Sequence, residues 1–209
     1  MSLSSILLGR EHETMITIYN RPLEQTLPIS LIPLWGEYEG VEAAVRMQWQ
    51  DQSLKLRYQV REPQMRRMVT LHNGRVWEDS CVEAFLQREG RAEYVNIECS
   101  ASTSILAGKG EGRANRTLFP VDFLQTIEHS VQILENSNTQ SRWTLEISLP
   151  LLALGLVEEG EDLRNVQLRG NFYCCGDKLA VPHFLAASEI GTLKPDFHCP
   201  SYFVPLTFA

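Results

Sequence analysis

The chain is 209 residues long, 44% hydrophobic and 22% charged, and it reads as one soluble globular domain over residues 1–209. Its net charge of -7, with no long basic run, excludes nucleic acid as a partner, because phosphate binding needs clustered Lys and Arg. No apolar run approaches the roughly 18 residues of a membrane-spanning helix, so no membrane partner is expected.

The N-terminal residues hold a short apolar patch at Ile6, Leu7 and Leu8, no basic region before it, and an early Glu11. This is unlike a signal peptide, and the expectation is a cytoplasmic protein unless a leader was removed. The cysteines, Cys81, Cys99, Cys174, Cys175 and Cys199, are odd in number and irregularly spaced. That is no disulfide framework, so buried free thiols are expected.

Residues 14–20 alternate and read as a first strand. Pro22, Pro28 and Pro33 then break any helix and imply an extended crossing segment, with a turn at 35–38. Residues 41–49 place Val41, Ala43, Val45, Met47 and Trp49 inward. A turn at Asp51-Gln52 makes 54–61 the hairpin partner, with Leu54, Leu56, Tyr58 and Val60 inward. Residues 62–75 form a polar loop.

The central stretch, 76–86, opens with Trp77 and two acids and then alternates. Val82, Ala84 and Leu86 make an apolar face, while Cys81, Glu83 and Phe85 leave on the other. A lone Glu between a thiol and a ring must find hydrogen-bond donors or give up its charge. Residues 93–100 pair back through the Glu89-Gly90-Arg91 turn, with Asn96 and Glu98 on one face.

Residues 107–116 carry Gly108, Gly110 and Gly112 and read as a flexible loop. They are no dinucleotide fingerprint, because no βαβ unit surrounds them. Residues 127–134 and 142–149 form another hairpin, and 150–156 one short helix with Pro150 near its first turn. Residues 167–175 read as a strand with Arg169, Asn171 and Tyr173 on one face. Residues 202–208 read as the last strand, Pro205 marking an edge or bulge. About eight to ten short strands, with at most one or two short helices, predict an all-β antiparallel sandwich or barrel.

The second face of these strands offers Arg57, Glu83, Asn96, Glu98, Glu146, Arg169, Asn171 and Tyr173. Acids, amides and guanidinium groups together suit a hydroxyl-rich ligand, and Trp77 adds a flat plate for a sugar ring. The same residues equally describe a solvated outer face with weak cross-strand ion pairs. Glu83 and Glu98 are candidates for the acid pair of a glycoside hydrolase, although pairing with Arg57 or Arg169 explains them as well. Cys174-Cys175 with His183, and His198 beside Cys199, raise a metal site. The spacing fits no zinc pattern, and adjacent strand cysteines point oppositely. A haem site from Met65 or Met68 with His72 would lie within one loop. No G-x-S-x-G element occurs.

Five blocks, in order, carry a resemblance: residues 77–86 (Trp-Glu-Asp-Ser-Cys-Val-Glu-Ala-Phe-Leu), 94–98 (Tyr-Val-Asn-Ile-Glu), 169–179 (Arg-Gly-Asn-Phe-Tyr-Cys-Cys-Gly-Asp-Lys-Leu), 182–185 (Pro-His-Phe-Leu) and 195–203 (Pro-Asp-Phe-His-Cys-Pro-Ser-Tyr-Phe). From about residue 14 to the C-terminus the chain resembles bacterial proteins related to carbohydrate-binding module family nine, among the DOMON-like, jelly-roll-like β-sandwiches.

The resemblance implies non-catalytic binding of a sugar end or small glycan between two aromatic rings. Trp77 is similar to the first ring and Glu83 to the nearby acid, with Asn96, Glu98, Arg169 and Asn171 as polar contacts. It implies no cofactor beyond the structural calcium of some such modules, for which no calcium loop is visible here, and it leaves the oligomeric state open. A glycoside hydrolase using Glu83 and Glu98, or a haem- or metal-binding DOMON-like domain, is the alternative. Relatives carry a Trp shortly after the Pro-His-Phe-Leu block, where this chain has Ala186-Ala187-Ser188-Glu189. Loss of a stacking surface costs on the order of 1 kcal/mol. Phe184, Phe197 or Tyr202 are the candidate replacements.

Overall fold

A computed structural model describes residues 15–209; the signal-peptide reading falls on residues 1–14, outside the described residues. The strands are β1 (Ile16–Ile18), β2 (Ile29–Ser30), β3 (Ile32–Pro33), β4 (Glu42–Gln50), β5 (Ser53–Glu62), β6 (Cys81–Arg88) and β7 (Tyr94–Ser100), then β8 (Ile105–Gly110), β9 (Arg116–Leu118), β10 (His129–Asn136), β11 (Ser141–Pro150), β12 (Leu168–Cys175), β13 (Phe184–Ala186) and β14 (Val204–Phe208).

They form two stacked sheets. The larger runs β1-β14-β12-β6-β7-β8-β9, with β13 and β3 added beside β12; the smaller runs β10-β11-β5-β4-β2. The Pro-broken segment does cross between the layers, since β2 pairs with β4 in one sheet and β3 with β13 in the other. Pairing is antiparallel except between β1 and β14, which run parallel.

Strand alternation fixes where the core sits. Val82, Ala84 and Leu86 of β6 meet Leu54, Leu56 and Tyr58 of β5 and Leu145 of β11 between the sheets. Each fully buried Leu or Val contributes about 1.5–3 kcal/mol. The Tyr58 hydroxyl, buried in that layer, donates to the Glu83 carbonyl at 2.7 Å and so ties the two sheets together.

The other face of the large sheet is covered as well. Phe85, Tyr94 and Tyr173 carry a second apolar cluster with Ile190, Phe197 and Phe203, which arrive from the connection between β13 and β14. Residues of β6 and β7 are therefore buried on both faces, unlike the half-exposed strands β4 and β5.

Three expectations are corrected. The glycine-rich stretch contributes strands rather than a flexible loop: Gly108 and Gly110 lie in β8, and Arg116 begins β9. A Cβ at Gly110 would come 2.1 Å from the Asn115 carbonyl oxygen, so glycine serves close backbone approach there. Residues 150–156 make successive turns, closed by Leu154 N–Pro150 O and Leu156 N–Leu151 O bonds, instead of a helix. The one α-helix among the described residues is Val121–Leu124. Finally, Arg57 and Glu146 belong to the smaller sheet, where they pair with each other at 2.7 Å, far from any role beside Glu83.

Candidate functional site

A hollow of about 210 Å³ opens on the outer face of the large sheet. Its floor is built by register. Glu83 of β6 stands opposite Glu98 of β7 on one side and Tyr173 of β12 on the other, and Cys81 stands opposite Cys175. Glu83, Glu98 and Cys175 line the hollow.

Loops raise its walls. Trp77, half-buried, comes from the turn before β6, pinned by a 3.0 Å bond from Asp177 N to the Trp77 carbonyl. Phe184 comes from β13, and Phe197 from the loop beyond, where it stacks on Tyr173 at 4.1 Å and 8°. Arg113 comes from the β8–β9 turn and Arg116 from the start of β9. Arg113 pairs with Asp196 at 2.8 Å, and the same carboxylate accepts from His198 N at 3.0 Å, joining two rim loops.

The carboxyls are unusual. Burial, then repulsion from Glu98, pushes the Glu83 carboxyl well above the ordinary range, although the Cys175 thiol donates to its Oε1 at 3.0 Å. Burial raises Glu98 to about 7 against the pull of Arg116, whose Nη1 is 3.7 Å from Oε1, and of Asn96, whose amide donates to Oε1 at 2.9 Å. His198 lies 2.6 Å from the Tyr94 hydroxyl and is driven down to about 3 by burial and the two arginines, so it is neutral.

Three buried polar atoms here have no hydrogen-bond partner among the described residues: Glu98 Oε2, Asn96 Oδ1 and Arg116 Nη1. Leaving such a group unpaired costs about 1–3 kcal/mol; Glu98 and Arg116 line the hollow, whereas Asn96 Oδ1 lies beside Gly108.

The structure brings Trp77, Glu83 and Glu98 to the hollow, with Asn96 behind Glu98. It separates Arg169 and Asn171 from it. The Arg169 guanidinium donates to the Phe203 carbonyl at 2.7 Å and lies 3.8 Å from Glu89. Asn171 is fully buried, its Oδ1 accepting from Phe172 N and Ser188 N while its Nδ2 donates to the Ser188 carbonyl. Both act as clamps on covering loops, which the strand pattern could not reveal.

Of the replacement rings, Phe184 and Phe197 line the hollow and Tyr202 does not; Ala187 packs on the inter-sheet core. Arg113, Arg116, Asp177 and Asp196 are additions to the sequence reading, and His198, raised there only as a metal candidate beside Cys199, lines the hollow. A buried Glu98 demands a cation, and that demand was the one available pointer to Arg116.

The metal and haem arrangements raised from sequence do not assemble. Cys174 faces the core and Cys175 the hollow, while His183 is buried 3.6 Å from Glu62. His72 Nδ1 accepts a backbone bond from Ile105, and Met68 is exposed. Among the described residues, the cluster of three possible ligand side chains is Cys81, Glu83 and Cys175. Two sulfurs do not suit calcium, which takes oxygen ligands.

Solved structures share this architecture. A putative carbohydrate-binding protein from Bacteroides uniformis is 28% identical, with a TM-score of 0.82, over 93% of this chain and 99% of that one. A family 9 carbohydrate-binding module from Caldicellulosiruptor kristjanssonii, solved with cellotriose, is 11% identical, with a TM-score of 0.61, over 93% of both chains. One solved with glucose is 14% identical, with a TM-score of 0.56, over 94% of this chain and 96% of that one. No curated protein matches the chain. The model of carbohydrate-binding family 9 matches residues 25–208, nearly the whole described sandwich with its hollow, and the chain belongs to that family.

Proposed function

We propose that the hollow beside Trp77 binds one terminal sugar ring, without catalysis. Family membership supplies the ligand class. The observation that carries the site is the pair of unpaired buried atoms on residues lining the hollow, Glu98 Oε2 and Arg116 Nη1, beside an aromatic wall. Hydroxyl groups both donate and accept, so one vicinal pair serves a carboxylate and a guanidinium together. Trp77 and Phe184 offer apolar surface to the C–H face of a ring. A volume of about 210 Å³ falls below the roughly 300–1,000 Å³ of drug-sized sites and suits one ring with the remainder of a glycan outside.

Recognition by these side chains needs no cofactor. Calorimetric titration with glucose, cellotriose and a panel of other mono- and oligosaccharides tests the reading. Saturable binding of at least one sugar with a stoichiometry near one is expected. No heat from any sugar at millimolar concentration overturns it.

A further inference from the structure

Beneath the hollow lies a cluster that sugar recognition does not use in full. Cys81 and Cys175 are register partners on β6 and β12, and Glu83 follows Cys81 by two residues on the same strand face. One sulfur from each cysteine and a Glu83 oxygen all lie within 4.8 Å of one another. Cys175 donates to Glu83 Oε1 at 3.0 Å, Cys81 has a long 3.7 Å contact to the Val82 carbonyl, and the two thiols hydrogen-bond to each other, so the three groups already form one connected cluster.

Two sulfurs and a carboxylate, held on a paired sheet, are the donor types of a borderline-soft ion. We propose that Cys81, Glu83 and Cys175 form a binding site for a thiophilic divalent cation of the zinc class, whose fourth coordination position faces the hollow. Glu83 and Cys175 line the hollow while Cys81 sits below them, so the ion enters from that side and its remaining ligand is water or a ligand hydroxyl. Binding replaces the protons of both thiols, and that of Glu83 where it is protonated; these leave to solvent. Two thiolates and a carboxylate leave the loaded site one negative charge in excess, with the Arg116 guanidinium near enough to act on Glu83.

The other buried cysteines provide internal controls. Cys99 and Cys174 face the inter-sheet core, away from this cluster. The test uses reduced, metal-free full-length chain, titrated with Co²⁺ and followed by the thiolate-to-cobalt charge-transfer band, then with Zn²⁺ as competitor. The expected result is one equivalent bound, displacement by Zn²⁺ and proton release in a weakly buffered solution. The band should vanish in Cys81→Ala and Cys175→Ala and persist in Cys174→Ala. A folded wild-type chain that shows no band, or a band that survives in the Cys81→Ala/Cys175→Ala double variant, overturns the proposal. No sugar enters this measurement, so its outcome is independent of the sugar titration.

Discussion

Glu83 and Glu98 stand directly opposite each other on β6 and β7, both buried, yet each turns to a different donor. Glu83 takes the Cys175 thiol and Glu98 takes the Asn96 amide, with the Arg116 guanidinium beyond. Two carboxylates in register would repel at this depth if both were ionised, and their separate partners, with one proton retained, resolve the conflict.

That arrangement predicts a pH-dependent sugar affinity. Burial raises Glu98 to about 7, so below that pH it carries a proton, and as pH rises through about 7 it becomes a carboxylate. Its unpaired Oε2 is then a charge-assisted acceptor for a hydroxyl, stronger by about 1 kcal/mol than a neutral one. Affinity measured by calorimetry should therefore increase about fivefold from pH 5.5 to pH 8. Glu98→Gln should flatten that profile; an unchanged pH dependence in the variant would remove Glu98 from the contact.

Trp77 separates binding from folding. It is half-buried and belongs to the margin of the second apolar cluster, with its indole at the hollow. Trp77→Ala should weaken sugar binding by about tenfold or more while lowering unfolding stability by only about 1 kcal/mol. Denaturant titration beside calorimetry reads the two effects separately. A large loss of stability with the remaining binding intact would make Trp77 a packing residue.

Asn171 should behave in the opposite way. Removing its amide in Asn171→Ala leaves the N–H and carbonyl of Ser188 and the N–H of Phe172 without the partners they have in the fold. The expected cost is about 2–4 kcal/mol in denaturant unfolding, with sugar affinity of the folded fraction unchanged. A selective loss of affinity at full stability would reinstate Asn171 as a ligand contact.

A second buried pair governs stability against pH. Glu62 accepts from the Trp143 indole at 2.7 Å, and its other oxygen lies unpaired, 3.6 Å from His183 Nε2. Burial raises Glu62 to about 7, so it is protonated in mildly acidic solution, and burial also lowers His183. Between the ordinary value of 4.5 and about 7 the folded chain holds a proton on Glu62 that the unfolded chain has released. Stability from this group therefore falls as pH rises through that window and does not recover above it. Glu62→Gln should match wild type near pH 5 and exceed it by about 1–3 kcal/mol at pH 8 in paired thermal or denaturant melts. Equal stabilities at both pH values would contradict the burial effect.

The sequence by itself determined most of the long strands and the faces of the sandwich. A period of two is written into Val82-Glu83-Ala84-Phe85-Leu86 and into the 41–49 and 54–61 hairpin, because neighbouring side chains of a strand must part to opposite sides. It also singled out Trp77, Glu83 and Glu98, since an acid on an apolar face is costly enough to notice. It could not tell that the second face of β6, β7 and β12 is itself covered.

That covering comes from residues 188–203, which meet the sheet only after the chain has folded back, and it converts Asn171 and Arg169 from exposed candidates into loop clamps. The same long-range closure brings Arg113, Arg116, Phe197 and His198 to the hollow. Gly108 and Gly110 looked mobile because glycine locally signals freedom, whereas their need arises from a carbonyl of Asn115 and the Asn96 amide pressed against them. Which strands alternate is a property of adjacent residues; which polar groups remain unpaired is decided by what packs on top of them, and only the tertiary structure sets that.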